Sequence, residues 1–419
     1  MKKYLEIYNL IKSQIISKEL KTGQKIPSVR NASVIYNVSI TTVQNAYFEL
    51  CADGYIVSQN KSGYYVTDIA NSVTEKIIKT ENKKFQYDLT GGTADKEIFD
   101  LKLWQRYIKS ALRQSERMMS YSEPQGEYDL RLALAEYIKE KRNVVAPAER
   151  IIIGAGSATL LGILCSLIDK DSIISFPDKS FAIGMGLFED YGFDVRTRHK
   201  DADVIYVSPS HMTRWGDVMP IKRRIELTEY SSHNNSIVIE DDYENEFLYN
   251  VRPTPSLFAL GKGNVVYLSS FSAMLIPAIR ISFMVLTPQL YERYKAKMHR
   301  FAQTAGKTEQ IALCNYIRDG HINAQTRKIS RFYGAKTKEF TRLLKANLPA
   351  SDIDIGDNTL QVILKTQFNK SIDTFEKLGL KVFTENYDNG KITLVLSPSG
   401  IPYEELENVA KLIKKAILS

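Results

Sequence analysis

The run Ile151-Ile152-Ile153-Gly154-Ala155-Gly156-Ser157-Ala158-Thr159-Leu160 reads as a strand, a glycine-rich turn and the start of a helix. Backbone N–H groups at such a helix start, those of Ser157 and Ala158 included, would hold a phosphate monoester, with the Ser157 hydroxyl as a further donor. A second run, Ile237-Val238-Ile239-Glu240-Asp241-Asp242-Tyr243, ends a strand in carboxylates. Its two-residue period puts Asp241 and Tyr243 on one face, and a strand-end aspartate is otherwise often a helix cap. Near the N-terminus the chemistry is of another kind. Pro27 suits the first position of a short helix, placing Ser28 and Arg30 in its first turn, within reach of a phosphate. Ser39 suits the N-cap of a following helix that carries Thr41, Thr42, Gln44 and Asn45 near its start and runs to about Ala52.

The elements that must position these residues divide the chain. Ile7, Leu10, Ile11 and Ile15 recur at helical spacing, predicting a first helix that ends near Lys21-Thr22-Gly23. In the later helix Val43, Ala46, Tyr47 and Leu50 form an apolar side opposite the short polar residues. Two short alternating strands, around Tyr55 to Val57 and Tyr64 to Val66, flank the turn Asn60-Lys61-Ser62-Gly63, with Lys61 and Gly63 at its tip. Residues 71–87 are polar and charge-mixed and read as a linker, leaving 1–70 and 88–419 as the domains. In the larger part, strand-like runs at 150–153, 172–176, 204–207, 236–240, 265–268 and 281–285 alternate with amphipathic helices, predicting an α/β sheet with helical cover.

Bulk properties exclude more than they assign. At 419 residues, 44% hydrophobic and 25% charged, the chain has the composition of a globular protein of two or more domains. No apolar run reaches the roughly 18 residues of a membrane span, so a cytoplasmic location and no membrane partner are expected. Cys51, Cys165 and Cys314 are far apart and the five histidines are scattered, so no metal site is expected. The net charge of +8 permits nucleic acid without demanding it, and residues 1–70 carry eight Lys/Arg against five Asp/Glu.

The order Ile26-Pro27-Ser28-Val29-Arg30, Val38 to Tyr47, Gly54-Tyr55-Ile56 and Gly63-Tyr64-Tyr65-Val66 resembles the winged helix-turn-helix of GntR-type repressors. Family members often carry arginine where this chain has Ile40, which points to a different operator sequence or a lost contact. Residues 267–283, Tyr-Leu-Ser-Ser-Phe-Ser-Ala-Met-Leu-Ile-Pro-Ala-Ile-Arg-Ile-Ser-Phe, resemble the cofactor segment of fold-type-I pyridoxal phosphate proteins. In that pattern Ser-x-Ser-Lys is followed by Arg; Ser270, Ser272 and Arg280 fit, and Ala273 stands where the Schiff-base lysine would be. A methyl group can neither form an imine nor move a proton. The head and body together resemble the MocR/GabR transcription regulators over nearly the whole chain.

The resemblance implies an N-terminal winged helix-turn-helix joined to an aminotransferase-like α/β domain, with a mixed, mostly parallel sheet and a smaller C-terminal α+β subdomain from about residue 320. It implies a phosphate cup of Ser157, Ala158, Ser270, Ser272 and Arg280, Asp241 at the ring nitrogen, Tyr243 at the ring oxygen and Phe181 stacked on the ring. Tyr121 is implied to cross to the partner's phosphate, so that a homodimer shares its pockets. Thr213-Arg214-Trp215-Gly216 and Thr393 depart from working enzymes, Thr393 standing in place of the arginine that clamps a substrate carboxylate. Two origins of Ala273 stay open: natural decay, or a substitution made in a lysine-bearing chain. The expected protein is no enzyme but a regulator that binds operator DNA through Ser28, Arg30, Ser39, Thr41, Thr42, Gln44, Asn45, Lys61 and Gly63. Its expected effector is pyridoxal phosphate, bound noncovalently, a pyridoxal phosphate adduct of an amine or amino acid, or a related small ligand. The alternatives are an aminotransferase with a DNA-binding head, inactivated at Ala273, and a purely structural body with no effector.

Overall fold

A computed structural model describes residues 3–60, 62–68, 85–178, 181–212, 217–243, 254–261, 263–356, 360–388 and 390–418. Lys61, most of the expected linker and Thr213 to Gly216 lie outside the described residues. The chain divides into two compact units, Met1–Lys83 and Lys84–Ser419.

In the first unit α1 (Lys3–Ile16) buries Ile7, Ile11 and Ile15, one residue per helical turn, against Val43, Ala46, Tyr47 and Leu50 of α3 (Ile40–Ala52). α1 stops earlier than its apolar spacing predicts, because the chain turns at Lys18, which takes a left-handed φ of 63°. α2 (Val29–Ile35) starts after Ser28, whose hydroxyl accepts from the Asn31 amide at 3.3 Å. Ser28 is therefore the N-cap rather than a first-turn residue, and Pro27 precedes the helix. Asn37, at φ 50°, makes the turn into α3, and Ser39 caps that helix by accepting from the Thr42 amide at 3.2 Å. β1 (Ile56–Gln59) and β2 (Gly63–Val66) form an antiparallel hairpin. The Tyr47 hydroxyl donates to the Pro27 carbonyl at 2.9 Å and so fixes α3 against the chain entering α2.

The second unit is built on a seven-stranded sheet. Its strands are β3 (Ile151–Gly154), β4 (Ile173–Phe176), β5 (Asp194–Thr197), β6 (Val204–Val207), β7 (Ile237–Asp241), β8 (Val265–Ser270) and β9 (Ser282–Val285), in the order β3-β9-β8-β7-β6-β4-β5. β9 runs antiparallel to both its neighbours, and the remaining pairings are parallel. Helices cover both faces, which is why the central strands are apolar throughout instead of alternating. Ile152, Ile174, Val204, Tyr206, Ile239, Val266 and Met284 pack on one face with the helix Ser157–Cys165. On the other, Ile151, Ile153 and Phe283 join one cluster, and Val207, Val238 and Val265 a second, smaller one. The helix His321–Asn347 leads to a four-stranded antiparallel sheet of β10 (Asp352–Ile355), β11 (Val362–Gln367), β12 (Phe383–Asp388) and β13 (Lys391–Leu396), in the order β10-β11-β13-β12. The edge strand β5 was not expected: Asp-Val-Arg-Thr is mostly exposed and carries no apolar run.

Candidate ligand cradle and nucleic-acid face

Sheet register brings three distant segments to one place. Ser282 of β9 pairs with Gly154 of β3 on one side and with Ser270 of β8 on the other. The turn after Gly154 passes through Gly156 at φ 96° and ψ 160°, and Gly156 caps the helix Ser157–Cys165 without a side chain. Arg280 stands against that turn so closely that a Cβ on Gly156 would lie 2.5 Å from its Nη2 atom. Arg280 Nη1 donates to Ser272 Oγ at 3.3 Å, and Ser272 Oγ donates to the Ile279 carbonyl at 3.2 Å. The Ser272 amide donates to Ser270 Oγ at 3.3 Å. The sequence-predicted Ser157, Ala158, Ser270, Ser272 and Arg280 are thus gathered into one cradle, with the Arg280 guanidinium beside the start of the helix. Ala273, next to Ser272, is exposed at its edge. The Thr304 hydroxyl, which the sequence did not flag, accepts from the Ala155 amide at 3.0 Å and steadies the turn.

The three carboxylates ending β7 have separate tasks. Glu240 accepts from the Leu257 and Phe258 amides at 2.7 and 2.8 Å, joining the N-cap Ser256 at the start of the helix Leu257–Leu260. Burial, reinforced by the nearby Asp242 charge, pushes its carboxyl up to about 7. Asp242 pairs with Arg142 at 2.6 Å and accepts from Ser210 at 2.9 Å and Tyr267 at 2.8 Å. Asp241 lies on the cradle's face of the sheet, in register with Leu268 two residues before Ser270, and accepts from the Tyr206 hydroxyl. Burial first, then the Asp241 charge, raises the Tyr206 phenol well above its ordinary value, so Tyr206 remains a donor to that carboxylate.

Phe181 meets Tyr206 edge-on at 5.8 Å between ring centroids, and Phe176 stacks on Tyr206 at 4.7 Å. Tyr243 lies beyond the strand end with its ring 4.9 Å from that of buried His211. Neither Tyr206 nor His211 was singled out in the sequence; both sit in apolar or polar runs with no distinguishing spacing. Tyr121 is wholly exposed on a separate loop. That loop is held by Lys307, whose ammonium donates to the Arg117, Ser120 and Tyr121 carbonyls at 2.7, 2.8 and 3.3 Å and to Ser120 Oγ at 3.0 Å.

On the first unit Ser28, Arg30, Ser39, Thr41, Gln44 and Asn45 are all exposed. Thr42 is half-buried, with its hydroxyl 2.8 Å from that of Ser39, so it completes the cap. Gly63 opens β2 at φ 116°, and a Cβ there would lie 3.0 Å from Lys25 Cε, which brings a cation the sequence did not flag to the hairpin. Among the described residues no cluster of three or more His, Cys, Asp or Glu could hold a metal, and no helix is long and apolar enough to cross a membrane.

Residues 3–66 match the family described as bacterial regulatory proteins, gntR family, and residues 100–378 match aminotransferase class I and II. The chain is 30% identical to the uncharacterized HTH-type transcriptional regulator YhdI of Bacillus subtilis, over 88% of this chain and 84% of that one. It is 25% identical to the probable rhizopine catabolism regulatory protein MocR of Rhizobium meliloti, over 88% and 82%. To the HTH-type pyridoxine biosynthesis transcriptional regulator PdxR of Corynebacterium glutamicum it is 26% identical, over 75% and 72%. Among solved structures, an archaeal alanine:glyoxylate aminotransferase superposes with a TM-score of 0.70 at 19% identity, over 80% of this chain and 91% of that one, a likeness of fold.

Proposed function

We propose that this chain, which belongs to the HTH-type transcription regulators built from a GntR-family head and an aminotransferase class I and II body, senses a pyridoxal phosphate-type ligand without turning it over. The observation that carries the reading is the cradle of Gly156, Ser272 and Arg280 beside Asp241, complete in its anion-binding groups yet offering a methyl group at Ala273. These residues fit the cofactor: Arg280 and the helix start would hold its phosphate, Asp241 a protonated ring nitrogen, Tyr243 its ring oxygen and Phe181 its ring face. When bound, that cofactor supplies an aldehyde and an electron-withdrawing ring. The name of the PdxR relative, for pyridoxine biosynthesis, supports a B6 vitamer as the ligand class. Titrating pyridoxal phosphate into the protein by calorimetry tests the reading, and absence of saturable heat with the phosphate and with its amino acid adducts would reject it. Ligand acts on DNA binding only insofar as it binds two arrangements of the dimer unequally.

In a homodimer, exposed Tyr121 would reach the partner's phosphate, and Lys307 would keep its loop in place. Lys307→Met is then expected to weaken pyridoxal phosphate about as much as Tyr121→Phe, roughly tenfold for one lost hydrogen bond to a charged group. A double variant no weaker than either single one, by calorimetry, would support that coupling; additive losses would break it.

The head's exposed polar face suits double-stranded operator DNA. Arg30, at the start of α2, would meet a phosphate, whereas Gln44 and Asn45 on α3 would meet base edges. Arg30→Ala is expected to weaken binding to selected and random duplexes alike and to lower the log–log salt slope by about 1. Gln44→Ala and Asn45→Ala are expected to spare random duplexes and cost about 1 to 3 kcal/mol on the selected one. Equal losses on both duplexes for all three variants, in a binding series over salt, would overturn this assignment.

A further inference from the structure

The sheet face opposite the cradle carries an open cleft. Between β4, β6 and the helix Ile221–Asn234 lies a cavity of about 780 Å³, within the roughly 300 to 1,000 Å³ typical of small-molecule sites. Its apolar wall is made by Ile205, Val207, Met212, Met219 and Leu227. These belong to the small core cluster on that face, whereas Phe176 and Tyr206 pack densely into the cluster on the other. The cavity opens to solvent past exposed Arg198 and Lys200, and two methionines give it an adaptable lining.

Its polar groups are not evenly mixed. Arg198, Lys200 and Arg223 line it with Asp178 and Glu226, and Glu226 already faces Arg223 at 3.3 Å. Arg198 holds a left-handed φ of 51°, strain of the sort stored at binding sites. Its Nε donates to the Pro177 carbonyl at 3.0 Å, which fixes the arm and leaves both terminal nitrogens to serve another acceptor. Next to it, the Tyr230 hydroxyl donates to the Lys200 carbonyl and His199 places its amide 3.0 Å from buried Ser175 Oγ, tying this cationic segment to the sheet and helix.

We propose that this cavity is a second ligand site, distinct from the cradle, for a small organic carboxylate with an apolar body. The apolar part fills the space over Val207 and Leu227, and the carboxylate meets Arg198 and Lys200. Tyr206 borders the cavity from the sheet, with its ring packed on the opposite face. The site itself stands whether or not the cradle takes pyridoxal phosphate.

The test is calorimetric titration of the full chain with 3-phenylpropanoate, 3-phenylpropan-1-ol and 3-phenylpropan-1-amine. The carboxylate is expected to bind one per chain, with the alcohol and the amine weaker by about tenfold or more, a step of about 1.4 kcal/mol. Leu227→Trp, which fills the cavity, is expected to abolish binding, and Arg198→Gln, an exposed change that leaves the core intact, to weaken it about tenfold. Binding of the carboxylate that persists in both variants would overturn the proposal. So would no heat from any probe, equal binding of all three, or competition by inorganic phosphate, which would place the probe in the cradle.

Discussion

Ala273→Lys is expected to turn a noncovalent complex into a covalent one. Position 273 is exposed at the cradle's edge, directly after Ser272, whose amide and hydroxyl are fixed by Ser270 and Ile279. A lysine there would present its amine to the aldehyde of a ring whose phosphate rests on Arg280. Condensation forms a carbon–nitrogen double bond and releases water. Because a positioned amine reacts with an effective molarity of about 10⁵ M or more, even an imperfect fit should tighten apparent affinity by at least about 100-fold. A shift in cofactor absorbance on binding, and a borohydride-fixed mass increase on the peptide carrying residue 273, check the outcome. Pyridoxine phosphate, which has no aldehyde, should bind both proteins alike. An unshifted spectrum despite tight binding would mean that the ring lies elsewhere than the cradle implies.

The same variant separates regulator from enzyme. Restoring the amine restores one general base, worth about 10² to 10⁴ in rate, but leaves Thr393 where the resembling enzymes carry an arginine for the substrate carboxylate. Thr393 sits in β13 paired with Lys365 of β11. Transamination by Ala273→Lys is therefore expected to stay undetectable; brisk turnover would favour an aminotransferase carrying a DNA-binding head.

What could be read from the sequence was what local rules decide. β3, β4, β6, β7, β8 and β9 were legible because strands buried on both faces are apolar throughout, and Ser39 because N-caps have few suitable residue types. β5 was not, since an exposed edge strand needs no apolar run. The residues the fold gathers at the cradle carried two separate signals, the glycine-rich turn before Ser157 and the family pattern around Ser270 and Arg280. Sequence spacing could not assign tasks among Glu240, Asp241 and Asp242, because the partners that decide it are Leu257, Tyr206 and Arg142, each from a different segment. Thr304 and Lys307 were invisible for the same reason: their work is done on backbone atoms more than a hundred residues away.

Gly156→Ala should remove the cradle while leaving the head untouched. At φ 96° and ψ 160° the backbone occupies a region open in practice only to glycine, so alanine costs about 1 to 3 kcal/mol in strain alone. Its Cβ would also lie 2.5 Å from Arg280 Nη2, and a guanidinium must move away. Since Arg280 is exposed, it can swing outward without unfolding the body, but it then leaves Ser272 Oγ and the helix start. Losing one or two charge-assisted hydrogen bonds to a phosphate, each worth about 1.5 to 3 kcal/mol, should weaken pyridoxal phosphate by about 10-fold or more. Pairing the change with Arg280→Gln distinguishes the two costs. The shorter side chain relieves the clash, so the double variant should melt above the Gly156→Ala single variant while binding pyridoxal phosphate no better. DNA affinity measured without ligand should be the same in all three. If Gly156→Ala kept its pyridoxal phosphate affinity, the phosphate would not sit between this turn and Arg280, and the cradle would have to be reassigned.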